Sequence, residues 1–372
     1  MGNTPLGWAA RNGHERVVEL LLGREDIDPN KTDEEERAPL SWAAKNGHEG
    51  VVDILLRRDD VETDKPDILG QTPLLIAARG GHEGVVKMLL ERDEVSPDIS
   101  DHCGQTPLSV AAEGGHEGIV IILLERDDVD PDKSDHSGLT PLWLAAREGH
   151  RGVVKMLLGR DDVNPNIVDE NGETPLWCGV WDRDEVLVKM LLRRKDLNPN
   201  SSQRNGQTPL WMAAFDGLEV MVKILLGRGD IDPDKSDEWG QTPLSCAAEN
   251  GHEGVVELLL GQDKVSPDKP NIDGITPLWW AAQGGHEAVV KILLERDDVN
   301  PDTPEKNGQT PLYCAARYGH EEVVRILLSR EDVNPNKPDN WGETPLSGAT
   351  RNGHTRVIAL LQPYTTCPYS AD

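Results

Sequence analysis

Apolar positions along the chain fall into two alternating rhythms, seen most cleanly between 237 and 270. Leu244, Ala247, Ala248 and Gly251 are spaced three, four and seven apart, which puts them on one face of a helix. Their small size lets a neighbouring helix come close. Thr242 precedes this helix as its cap. Pro243 takes the first helical position, where a missing N–H costs nothing. After Gly251 and His252 a second helix begins, with a wider apolar stripe of Val255, Val256, Leu258, Leu259 and Leu260. Polar segments separate the pairs: Asp237-Glu238-Trp239-Gly240 reads as a turn, and Ser266-Pro267-Asp268 as the stop. Neither apolar face can be covered inside so short a unit. It needs neighbours.

Those neighbours are copies. The proline recurs at 5, 39, 73, 107, 141, 175, 209, 243, 277, 311 and 345, always 34 residues apart. A fixed period of this size predicts an all-α solenoid of eleven helix–turn–helix units, each with a projecting β-turn or hairpin loop. The units run 1–32 and 33–66, then in 34-residue steps to 305–338. A short last unit at 339–362 completes an array spanning 1–362, and 363–372 is a loose C-terminal tail. Repeat 1 lacks its own turn and is not obviously polar, which suggests a piece cut from a longer chain with an uncapped end. In repeat 2, Glu36-Arg37-Ala38 replaces Gly-x-Thr, a cap loss of about 1 kcal/mol. Repeat 6 has Gly179-Val180 for Ala-Ala and Arg183-Asp184 for Gly-His, and repeat 7 has Leu218 for His.

With Thr-Pro-Leu-x-x-Ala-Ala and Gly-His-Glu-x-Val-Val-x-x-Leu-Leu-Leu repeated in register, the chain resembles an ankyrin-repeat protein. It departs in its 34-residue period and in lacking the His that usually follows Thr-Pro-Leu. The resemblance implies a non-catalytic protein-recognition module with a concave groove along the first helices. The Arg-Asp-Asp-Val-Asn-Pro loop variant is similar to arrays of filamentous fungi, often sensor regions of nucleotide-binding immune-type receptors. A ligand-sensing receptor fragment is therefore the runner-up.

Composition narrows the partners. A formal charge of −28 argues against nucleic acid and anionic membrane surfaces. Neither a secretion signal nor an apolar run of membrane-spanning length is evident. Five cysteines without a Cys-x-x-Cys pair fit a reducing compartment, so an intracellular, cytoplasmic chain is expected.

A helical wheel puts positions one, four, five and eight after the proline on the core face, and three and six on the opposite, open face. The third-position column is largely apolar and includes Trp8, Trp42, Cys178, Met212, Cys246, Trp280 and Cys314. In the sixth column six of eleven residues are basic, among them Arg147 and Arg317, while repeats 6 and 7 carry Trp181 and Phe215. The flanking second position adds Trp143, Trp177, Trp211, Trp279 and Tyr313, and the seventh adds Tyr318. Aromatic residues and Arg dominate binding hot spots. The expected partner site is thus a groove centred on repeats 5–7 and extending toward repeats 9–10. It comprises Trp143, Arg147, Trp177, Trp181, Trp211, Met212, Phe215, Trp280, Arg317 and Tyr318, and suits a peptide with aromatic or acidic anchors. The competing reading has the second-position Trp residues packing between repeats. Turn-tip Trp239 and Trp341 could extend the contact.

No motif points to catalysis, and no cofactor or metal is expected. Nine His share one column in the helix–helix turn, a full repeat apart, and no His-Glu-x-x-His or phosphate loop occurs. Asp-rich loops such as 127–132 raise calcium as a rival, but they lack its ligand spacing. A spacer rod that self-associates through an uncapped first repeat is the remaining alternative. An Arg column, including Arg58, Arg160 and Arg296, precedes an acidic one with Asp60, Asp162 and Asp298. Gln262 and Lys264 depart together, which suggests an Arg–carboxylate ladder holding the loops.

Overall fold

The computed structural model describes residues 4–364, so the N-terminal three residues and the tail beyond Tyr364 lie outside the described residues. Among the described residues there are 22 α-helices in antiparallel pairs, one short 3-10 turn at Gln362–Tyr364, and no strands. Each proline opens a first, inner helix of seven or eight residues, as in Pro141–Arg147, Pro175–Trp181 and Pro209–Phe215. Each inner helix is followed by an outer one, such as Arg151–Leu158 or Glu219–Leu226. The chain divides into two compact units. One takes residues up to Asp182 with Arg193–Leu197, and the other Arg183–Leu192 with Asn198 onward.

Local chemistry sets the boundaries. Ten of the eleven inner helices have a Thr cap, as where Thr242 accepts from the Ser245 N–H at 3.1 Å and Ser245 returns the bond. The exception is Ala38, which has no side-chain acceptor to cap with. There Trp42 compensates: its indole N–H donates to Asp33 at 3.0 Å and the Arg37 guanidinium lies 3.9 Å from its ring. Glu36 and Arg183 hold the left-handed φ values of 61° and 59° that glycine takes in other repeats. In repeat 6 the Asp184 carboxylate caps the outer helix, bonding the N–H groups of Val186 and Leu187 at 3.0 Å each.

Successive repeats are joined through main-chain carbonyls. His286 Nε2 donates to Glu249 O at 2.9 Å, and His320 to Gln283 O at 2.8 Å. The Arg column forms pairs inside its own loop, as Arg58 with Asp60 at 2.6 Å, and these exposed pairs are worth little alone. The guanidinium also reaches back to the preceding outer helix: Arg58 bonds Leu22 O at 2.8 Å and Arg330 bonds Leu294 O at 3.0 Å. The ladder therefore exists, but its rungs between repeats are guanidinium to carbonyl. The turns form a second ladder, with Ile272 N–H on Trp239 O at 2.9 Å.

One expectation is corrected. The third-position column is mostly buried, not open: Trp42 is 4% exposed, Leu144 2%, Cys246 0% and Cys314 1%, with Trp280 half-buried. Within each unit an inner helix lies against the inner helices before and after it, so its third position meets the second position of the preceding repeat. Cys178 accordingly packs on Trp143 and Leu144, and Cys314 on Trp279 and Tyr313. Trp8, in the first repeat, remains 54% exposed.

Candidate functional site

With the third position covered, the sixth becomes the open end of each inner helix. It lies one turn beyond the second position, so the two side chains share a face. Where the second is aromatic it is buried, and in repeats 5–7 it becomes a platform for the sixth. Trp177 stacks under Trp181 with ring centroids 5.3 Å apart and planes at 17°. Trp211 does the same for Phe215, at 5.3 Å and 8°. Trp143 carries Arg147, whose guanidinium lies 5.7 Å from the ring.

In the first unit this arrangement borders a pocket of ≈ 310 Å³ lined by Trp143, Arg147, Glu173, Trp177, Cys178, Trp181 and Asp182. Trp143 is fixed by its indole N–H on Glu173 O at 3.2 Å. Trp181 exposes 57% of its surface, against 7% for Trp177. Burial, and then the charge of Asp169, pushes the Glu173 carboxyl above the usual carboxylate range. Burial likewise raises the Cys178 thiol, helped by Glu173 and Asp182, so this sulfur stays a protonated packing group. The Arg147 guanidinium approaches Glu148 at 3.6 Å and the side chain stays exposed.

In the second unit Trp211 and Met212 are buried and Phe215 is exposed above them. The Phe215 carbonyl accepts from His252 Nε2 at 3.0 Å, which fixes the backbone that presents the ring. Further on, Trp279 donates to Gln309 O at 3.0 Å and meets Trp280 edge to face at 5.4 Å. Tyr318 is exposed beside Arg317, with the guanidinium 5.8 Å from its ring.

The expected site residues therefore separate by depth. Arg147, Trp181, Phe215, Arg317 and Tyr318 reach solvent; Trp143, Trp177, Trp211 and Met212 lie beneath, and Trp280 is half-buried. The structure gathers Trp143, Arg147, Trp177 and Trp181 around one pocket. It keeps the Trp211–Phe215 pair and the Trp280, Arg317 and Tyr318 region in the other unit.

Sequence reasoning missed Glu173 and Asp182 as pocket walls. The signal was the residue between Gly and Thr: Gln105 bonds Glu113 at 3.3 Å and Gln241 bonds Glu249 at 3.4 Å, so that position faces the sixth. It also missed a second hollow of ≈ 240 Å³, where Arg37, Lys45 and Arg79 meet Asp67 and Gln71. Among the described residues no group of three or more His, Cys, Asp and Glu could hold a metal ion, and no helix is long and apolar enough to cross a membrane.

A sequence model of three ankyrin repeats matches residues 1–67, 40–135, 93–171, 127–202, 180–271 and 264–339. No curated protein matches the chain.

Proposed function

Because the chain belongs to the ankyrin-repeat family, whose repeats are generally protein–protein interaction modules, we propose that it is a non-catalytic recognition protein whose partner docks on the stacked aromatic pairs of repeats 5–7. The observation that carries this reading is the Trp177–Trp181 stack beside its pocket. A buried indole holds an exposed one flat against solvent, so little side-chain entropy remains to be lost on binding. Large exposed aromatics next to an arginine are the composition of a hot spot, and Arg147 provides the cation. The occupant is a peptide segment with an aromatic side chain laid on Trp181 and an acidic one at Arg147. The Trp211–Phe215 pair, in the other unit, is a separate surface of the same kind.

The test is selection of binders from a displayed peptide library, comparing wild type with Trp181→Ala, Phe215→Ala and Trp341→Ala. All three residues are exposed, so each variant should keep the wild-type melting curve. Loss of a hot-spot side chain costs about 2 kcal/mol, or roughly 30-fold in affinity. Selected peptides should weaken by that factor with Trp181→Ala and be indifferent to Trp341→Ala. Peptides that bind all variants equally would refute the site.

A further inference from the structure

The loop after each outer helix contains one position that is Asn in four repeats and Asp in six. The Asn residues show what the site is built to hold. Asn200 Nδ2 donates to Asp230 O at 2.8 Å, the carbonyl 30 residues on, and Asn336 does the same to Tyr364 O at 2.8 Å with an offset of 28. Asn200 Oδ1 accepts from the Asp232 N–H at 2.8 Å, 32 residues on. The amide thus bridges two loops as donor and acceptor at once.

An Asp at this position keeps only the accepting half. Asp64 Oδ2 accepts from Ser96 N–H at 2.9 Å, Asp132 Oδ2 from Asn164 N–H at 2.8 Å, and Asp268 Oδ2 from Asn300 N–H at 3.3 Å. The other oxygen, Oδ1, is buried in each and has no hydrogen-bond partner. By register it stands where the Asn Nδ2 bonds a carbonyl, so an ionised Asp there sets an acceptor against an acceptor.

The surroundings separate two groups. Lys133 and Lys269 reach Asp98 and Asp234 at 3.2 Å each, and Lys337 bonds the Asp302 carbonyl at 2.8 Å. At the matching positions beside Asp64, Asp132 and Asp268 stand Ile99, Ile167 and Thr303. Glu94 faces Asp64, Asp130 and Asp162 face Asp132, and Asp298 faces Asp268. Beside Asp64, Glu62 and Lys65 pair with each other at 3.2 Å. The cation that acts on Asp132 is Arg194, already engaged with Asp196 at 2.7 Å. Thr303 Oγ1 lies 3.4 Å from Asp268 Oδ2 and leaves Oδ1 untouched.

We propose that Asp64, Asp132 and Asp268 each take up a proton as pH falls below neutrality and donate it from Oδ1 to the main-chain carbonyl of Glu94, Asp162 and Asp298, so that protons lock successive loops and their loss at higher pH loosens the array. Burial raises all three carboxyls above their ordinary value; it also raises Asp98, Asp234 and Asp302, but there a lysine opposes the shift. Such a group contributes its full stability below the ionisation range of the unfolded chain. That contribution is lost as pH rises through the folded value. The Arg-paired acids, such as Asp60 and Asp162, are held below their ordinary value and act in the opposite sense. They are common to wild type and variant, so they cancel in a difference.

The experiment compares the full-length wild type with the triple variant Asp64→Asn/Asp132→Asn/Asp268→Asn by thermal denaturation at about pH 7.5 and about pH 4.5. Asn supplies a permanent donor. The variant should melt higher at the upper pH and lose its advantage at the lower, where the wild type holds its own protons. The lysine-paired variant Asp98→Asn/Asp234→Asn should gain less, because it gives up the Lys133 and Lys269 ion pairs on Oδ2 in exchange for the new donor. A pH-independent gain, or none, would overturn the proposal. Carboxyl carbon NMR of the wild type decides the same question without a substitution: the three carbons must titrate above about pH 4, the ordinary carboxylate value, and midpoints at or below it refute the lock. The proposal stands apart from the partner-binding reading and survives its failure.

Discussion

The glycine that ends the inner helix of repeat 8 gives the sharpest test of how repeats are fitted together. Gly251 has φ +73°, and a Cβ built there would lie 2.4 Å from Nδ1 and 2.7 Å from Cε1 of His286, in the next repeat. Gly251→Ala therefore meets two separable penalties. The left-handed backbone costs an alanine about 1–2 kcal/mol, partly offset by a stiffer unfolded chain worth about 0.4–1 kcal/mol. The imidazole must also move, and it is held by its bond to Glu249 O at 2.9 Å. Losing that bond adds about 1 kcal/mol, and an off-rotamer ring about as much again. The single substitution should cost about 2–3 kcal/mol. In a His286→Ala background only the backbone penalty is left, about 1 kcal/mol, which gives a coupling of about 1–2 kcal/mol. Long repeat arrays unfold with imperfect cooperativity, so the readout is native-state hydrogen exchange of the inner helix Pro243–Glu249 and outer helix Glu253–Leu260, measured across the four-member cycle. Gly353 is the internal control: it has the same φ of +73° and no atom within 4 Å of its Cβ. An equal cost for Gly251→Ala in both backgrounds would refute the wedge between histidine and glycine.

Two further outcomes follow from the carbonyl-based joints. The Gln262 side chain bonds the carbonyl of Leu258 in the same repeat, at 3.4 Å, whereas arginines in its column reach the preceding repeat. Gln262→Arg with Lys264→Asp should reach Leu226 O and raise stability by about 1 kcal/mol in thermal melts, while Lys264→Asp alone should be neutral. Trp279→Phe should destabilise more than Trp211→Phe, by about 1 kcal/mol, since it removes the indole bond to Gln309 O, which keeps only the Glu305 N–H at 3.1 Å, while the Trp211 indole N–H has no partner to lose.

What could be read from the sequence, and what could not, follows from where each determinant resides. The helix pairs were legible because Thr242, Pro243 and Gly251 act on their own backbone, within a few residues of where they stand. The histidine and arginine columns were legible as columns but not as joints. Their partners are carbonyls 36 or 37 residues away, which every residue possesses and no letter marks. The wheel failed at the third position because it describes an isolated cylinder, whereas Cys178 and Cys314 are enclosed by aromatic side chains of the preceding repeat. That same enclosure makes the candidate site. Trp177 and Trp211 could be taken either as packing groups or as binding groups only while each was considered alone. One turn of helix links each to Trp181 or Phe215, so packing of the inner ring orients the outer one. If the proposed recognition surface is right, a substitution that shrinks the buried ring should therefore weaken binding through the exposed one.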